Sequence, residues 1–145
     1  MFHLVKRFFS SIATKEIDDI DRAWVQDVLN QFEHDLWCKQ ANVDQCHSCD
    51  IARRFVLLRP QSTRDEIAGA LLHDIGKIDA DLGLVARVFA TVLPLPTPRF
   101  TAYRQHQERG AQMLKVISSN QITIALVAGR PDSEALRALC QADNI

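Results

Sequence analysis

The chain has 145 residues, 47% hydrophobic and 24% charged, with 17 Lys and Arg against 18 Asp and Glu for a formal net charge of −1. That length and mixture describe one globular domain with a single core, and they exclude a disordered chain, a collagen-like repeat and a miniprotein held by disulfides. The even charge balance gives no overall attraction to DNA or an acidic membrane, so DNA is not an expected partner and any anionic ligand must be drawn in by a local site.

Residues 1–20 read as an amphipathic segment. Met1 to Lys15 contains no acid, carries Lys6, Arg7 and Lys15, and sets Phe2, Phe8, Phe9 and Ile12 among them. An amphipathic first helix covering the domain is the reading adopted, with a membrane-surface helix or a transit peptide as the alternatives. No stretch approaches the roughly 18 uninterrupted apolar residues of a membrane span. From Asp21, the residues Trp24, Val25, Val28, Leu29, Phe32 and Leu36 recur at three- and four-residue spacing, which predicts one amphipathic helix. Asp44 is the expected N-cap of a second long helix that stops near Arg59, before Pro60. Thr63 and Glu66 have capping-box spacing and open a helix through Ile67, Ala70, Leu71 and Leu72 that ends around Asp74 to Gly76.

Asp81 to Leu93 reads as another helix, broken by Pro94, Pro96 and Pro98, the one clear loop of the chain. Helix resumes from Arg104 to Ile117, where Gly110 implies close packing against a neighbour. Asn120 to Ala128 fits a short strand or a buried helix, and is read as helix because no partner strand exists elsewhere. Pro131-Asp132-Ser133 starts a last helix running to about Asp143. The fold class is therefore all-α, with one helical domain over residues 21–145 and no internal repeat.

Cys38, Cys46, Cys49 and Cys140 come without a secretory leader pattern and are expected to be reduced thiols of a cytoplasmic protein. Cys46-His47-Ser48-Cys49 has the form of half a zinc site, and no second pair completes it.

Ionisable residues on the apolar stripes carry more information. His47 is in line with Ile51, Phe55 and Leu58. Asp74 continues the line of Ile67 and Leu71, with His73 about 100° round the same turn. Asp143 follows Leu136, Leu139 and Cys140, and His106 leads Gly110, Met113, Leu114 and Ile117, whereas His34 falls off its stripe. Burying an unpaired carboxylate costs several kcal/mol, so Asp74 and Asp143 require a compensating cation. Two imidazoles and two carboxylates form a mixed nitrogen and oxygen shell suited to divalent manganese, iron, nickel, zinc or magnesium. Taken singly, each residue also fits a plainer role, as a core histidine or a helix-end aspartate with an ordinary hydrogen bond. The convergence of four favours a site.

His73-Asp74-Ile75-Gly76-Lys77, preceded by Ala70-Leu71-Leu72 and with His47 one helix upstream, resembles the HD-domain superfamily of metal-dependent phosphohydrolases. That family's pattern of a His, a His-Asp pair and a distant Asp is met by His47, His73-Asp74 and Asp143, a resemblance running from about Asp44 to Asp143. It implies a single-domain HD-type helical bundle in which those four residues hold one divalent ion at the centre, with water on the ion as the nucleophile towards phosphorus. Lys77 and the later His106, in Tyr103-Arg104-Gln105-His106, resemble the HDIG, HD-GYP-like branch. There Lys77 is implied to contact a substrate phosphate, and His106 to be a second-metal ligand with Asp74 bridging.

The departures are specific. Between Ile124 and Ser133, where the branch usually supplies another pair of histidines, the chain reads Leu126-Val127-Ala128-Gly129-Arg130-Pro131-Asp132, and the Gly-Tyr-Pro signature of cyclic-di-GMP phosphodiesterases is missing. One ion per chain is expected, and that phosphodiesterase activity is not. The leading expectation is a phosphohydrolase acting on a phosphomonoester or phosphodiester, nucleotides included, with Asp74 and Lys77 in the catalytic roles. Arg54 and Arg109 are placed by helical offset at the mouth of the site, the plainer reading being that Arg54 pairs with Asp50 and Arg109 meets solvent. The Pro94 to Pro98 loop is a candidate lid. A catalytically silent HD domain that binds a nucleotide or a protein and keeps a structural metal is the alternative, and oxygen chemistry at two irons ranks last. Asp143 lies where helices fray, so metal is expected to order the last turn.

Overall fold

The computed structural model describes residues 16–78 and 98–144, residues 98–104 by backbone alone. The predicted amphipathic segment up to Lys15, the predicted helix over Asp81 to Leu93 and the loop at Pro94 and Pro96 lie outside the described residues. Asp18 accepts from the backbone N–H of Asp21 and starts α1 (Asp19–Val28). The single helix expected to reach Leu36 is in fact two, because Leu29 is extended and Asn30 begins α2 (Gln31–Trp37). Asn30 accepts from the N–H of Glu33 at 2.9 Å while the buried Glu33 carboxylate accepts from the N–H of Asn30 at 3.0 Å, a reciprocal pair that restarts the helix. The restart changes the phase. Val25, Val28, Leu29 and Leu36 stay in the core, but Phe32, predicted on the same stripe, is 65% exposed.

Helix α3 (Asn42–Leu58) follows Ala41, so Asp44 is not its N-cap; it sits in the first turn, where a negative charge suits the helix dipole. The helix stops at Leu58, before Pro60, as the sequence predicts. Cys46, Ser48, Cys49, Ile51, Ala52 and Phe55 bury its inner face. Trp37, the largest side chain of the core, donates its indole N–H to Ser48 Oγ at 2.9 Å. Helix α4 (Arg64–Leu71) opens with the predicted Thr63 and Glu66 capping box. It ends earlier than expected, at Leu71. Successive bonds from Ile75 N–H to Leu72 O, Lys77 N–H to Asp74 O and Ile78 N–H to Ile75 O then tighten the chain into a 3-10 turn over Ile75–Lys77.

Helix α5 (Pro98–Val116) begins before the predicted Arg104, with Pro98 inside it rather than in the loop; the first helical position tolerates a residue without an N–H. Asn120 caps α6 (Gln121–Ala128) and Gly129, at φ 70°, ends it in the left-handed region. The ambiguous segment is therefore helical, and the described residues contain no strand. Ser133 Oγ accepts from Leu136 N–H to start α7 (Glu134–Asp143), as predicted. These seven helices form one all-α domain, in which α4 packs on α3 and α6, α5 packs on α6 and on the 3-10 turn, and α7 packs on α3. None of them is long and apolar enough to cross a membrane.

The seat of the 3-10 turn on α5 is made by two glycines. A Cβ on Gly76 would stand 1.9 Å from the carbonyl oxygen of His106, and one on Gly110 would stand 3.0 Å from Ile75 Cγ2 and 3.2 Å from Gly76 N. Backbone touches backbone here, which is the close packing that Gly110 implied.

Candidate metal centre

His47 reaches the site from the second turn of α3, on the stripe of the fully buried Ile51 and Phe55; Leu58, at the far end of that stripe, is 39% exposed. His73 and Asp74 stand in the turn between α4 and the 3-10 turn, beyond the end of the regular helix. His73 is held by its Nδ1, which donates to the carbonyl of Ala70 at 2.8 Å, so that in the neutral ring Nε2 carries the lone pair. The His73 side chain is only 9% exposed and its Nε2 has no hydrogen-bond partner. That atom lies 3.5 Å from Asp74 Oδ2 and 3.7 Å from Asp143 Oδ1, and the same Asp143 oxygen lies 3.7 Å from His47 Nε2.

An orphaned buried polar atom costs about 1–3 kcal/mol, and the surrounding distances are too long for good hydrogen bonds. They lie a few tenths of an ångström beyond the spacing of donors around a single ion. Donor atoms about 2.1 Å from one ion stand roughly 3.0–3.4 Å from each other in octahedral or tetrahedral geometry. His47, His73 and Asp74 each offer a ligand atom, all within 4.8 Å of one another, and form a group able to hold a metal ion.

The electrostatics point the same way. The neighbouring imidazoles of His47 and then His73 hold the Asp143 carboxyl well below the usual carboxylate range, outweighing partial burial. Burial alone would pull the His73 imidazole down, yet Asp143 and Asp74 more than offset it and leave it above its ordinary value. Lys77 donates to Asp74 Oδ2 at 2.7 Å. His106 lines the same cavity as His73, Asp74, Lys77 and Asp143, and burial, then Lys77 and Arg109, push its imidazole down, so it is neutral at pH 7. The cavity offers about 40 Å³ of space, room for roughly two or three waters. Leu126, Val127 and Leu139 make its apolar wall.

The two expected arginines each donate to a backbone carbonyl. Arg54 donates to the carbonyl of Ala142 at 3.4 Å, across 88 residues, and so fastens the last turn of α7 beside Asp143. Arg109 donates to the carbonyl of Gly76 at 3.4 Å and pins the 3-10 turn to α5. Both are helix-surface residues by offset. What sequence reasoning passed over is that late helix carbonyls need donors, and an inward Arg on a packed neighbour can supply one. Cys46 and Cys49 are buried thiols, Cys49 pushed up by burial to about 12, and among the described residues no metal-ligand group forms around them or around His106. No family model, curated protein or solved structure matches the chain. The fold and the site together define an all-α domain in which His47, His73 and Asp74 form a group able to hold a metal ion, with the more exposed Asp143 outside that group, 3.7 Å from each of its two histidines.

Proposed function

We propose that this chain is a metal-dependent phosphohydrolase of the HD type, acting in the cytoplasm on a small phosphomonoester or phosphodiester, nucleotides included. The observation that carries this reading is the buried His73 Nε2, in a ring whose Nδ1 donates to the Ala70 carbonyl, without a hydrogen-bond partner of its own and within 3.5–3.7 Å of two carboxylates. A divalent ion supplies what phosphoryl transfer to water needs, a lowered water pKa and neutralised charge on the phosphoryl oxygens. His47 and His73 would hold it through imidazole nitrogens, and Asp74 and Asp143 through carboxylate oxygens, a set that manganese, iron, nickel, zinc and magnesium all accept. Lys77 offers the phosphate a compact ammonium, and neutral His106 offers a proton acceptor across the cavity. A second reading, a binding domain with a structural metal, is favoured by Arg54 and Arg109, which donate to backbone carbonyls.

The test is metal content of protein purified without chelator, for wild type, His73→Ala and Asp74→Ala, followed by phosphate release from a panel of phosphate esters. We expect one ion per chain, absent from both variants, and release by the wild type alone. An ion at 100 times its dissociation constant should stabilise the wild type by about 2.7 kcal/mol. Lack of any ion after incubation with manganese, iron or nickel would remove the mechanism, and an ion without phosphate release would select the binding domain.

A further inference from the structure

We infer that Lys77 is the internal cation of the metal-free centre, seated on the Asp74 oxygen that an incoming ion needs, and that metal and an oxyanion therefore bind cooperatively. The inference rests on the metal centre proposed above. Its basis is which oxygen is taken. Lys77 Nζ lies 2.7 Å from Asp74 Oδ2, and it is this same Oδ2 that lies 3.5 Å from the orphaned Nε2 of His73. A divalent ion reaching His73 Nε2 and the Asp74 oxygen nearest to it meets the ammonium on that oxygen, and two cations there repel.

The geometry lets the ammonium exchange partners. Lys77 ends the 3-10 turn, which Gly76 seats against the backbone of α5, so its stem starts from a fixed point beside His106. Its side chain is 45% exposed while that of Asp74 is 21% exposed, placing the pair at the cavity mouth, where the ammonium swings without unfolding anything. Arg54 and Arg109 donate to the carbonyls of Ala142 and Gly76, whereas Lys77 donates to a carboxylate of the metal group itself. An oxyanion that draws Lys77 away uncovers Oδ2 for the ion, and an ion that takes Oδ2 releases the ammonium to the oxyanion. Linkage makes the two effects equal. The ligand class that opens the centre is a phosphate-type oxyanion; neutral and cationic molecules leave Lys77 in place.

The experiment is titration calorimetry of Mn2+ into metal-free wild type, Lys77→Met and Lys77→Gln, with and without inorganic phosphate, after circular dichroism shows equal helix content. An ion pair as exposed as this one is worth a factor of about two to five, and relief of repulsion adds to it. Both variants should therefore bind Mn2+ about three- to tenfold more tightly than the wild type, and phosphate should tighten Mn2+ binding in the wild type at least threefold more than in either variant. Mn2+ binding by the wild type with equal or weaker binding by the variants would overturn this inference and leave the metal centre standing, as would an equal phosphate effect in all three. A wild type that takes up no Mn2+ would overturn both.

Discussion

Replacing Gly76 by alanine tests whether the seat of the 3-10 turn on α5 holds the centre together. The added Cβ would lie 1.9 Å from the His106 oxygen and 2.8 Å from both His106 C and Gly110 N. A carbon and a carbonyl oxygen in contact stand about 3.3 Å apart, so the shortfall is roughly 1.4 Å. All three atoms are backbone of a packed helix and none can rotate away. The turn must lift off α5, opening space around Ile75, which is fully buried. Overpacking a core usually costs about 1–3 kcal/mol, and a backbone clash of this depth belongs at or above the top of that range. For a chain of this size about 3 kcal/mol lowers the melting temperature by roughly 6–12 °C. Gly69→Ala is the control. Its Cβ would meet Leu126 Cβ and Cδ1, both at 2.9 Å; a rotamer change moves only Cδ1, so a shift of a few tenths of an ångström between α4 and α6 is still needed, while alanine inside α4 gains up to about 1 kcal/mol of helix propensity. Thermal melts followed by far-ultraviolet circular dichroism should therefore separate the two variants widely. A Gly76→Ala melt within about 2 °C of wild type, or a Gly69→Ala melt equally depressed, would refute the backbone-contact argument.

Two further outcomes follow from the charges of the centre. In the metal-free protein, Asp143 is lowered from 3.8, so its contribution to stability is present above that pH and lost as pH falls through the folded value; His73 is raised from 6.5, so its contribution is complete below 6.5 and lost as pH rises through the folded value. The stability difference between wild type and Asp143→Asn in urea should thus be largest between about pH 4 and 6.5 and shrink towards pH 8, while the increment from added Mn2+ grows over the same rise because ligating imidazoles must be neutral; a difference that widens from pH 6.5 to 8 without metal would contradict this. Arg54→Met should leave Cys49 and Phe55 buried but speed hydrogen exchange from Leu139 to Asp143 severalfold in the absence of metal, and added metal should restore part of the protection. Unchanged exchange in the variant would mean that the bond to Ala142 does not secure the last turn.

What the sequence made legible was local or periodic. Thr63 with Glu66, and Ser133 with Leu136, lie three residues apart, and their caps could be read from adjacent letters. The phases of His47 and Asp74 came from helical spacing, and they converge although His73 and Asp74 occupy a turn, because a turn that follows a helix inherits the direction of its last residues. The break at Leu29 was hidden because apolar spacing runs through it unbroken, and the capping pair of Asn30 and Glu33 competes with that pattern without leaving a Pro or Gly to mark it. The partners of Arg54 and Arg109 were hidden for a different reason: they are backbone carbonyls 88 and 33 residues away, and a carbonyl has no letter.

The bond from Arg54 to Ala142 also sets an order of assembly. Helix α3 is covered by α7, and 88 residues separate those two partners. At typical rates of protein synthesis, about 5–20 residues per second, that interval lasts roughly 4–18 s. For that time the nascent α3 carries His47 on a face that α7 has yet to cover, and His73 and Asp74 are made early in the same interval. The Asp143 carboxylate comes last, so His47, His73 and Asp74 can gather before the acid that faces the two histidines exists.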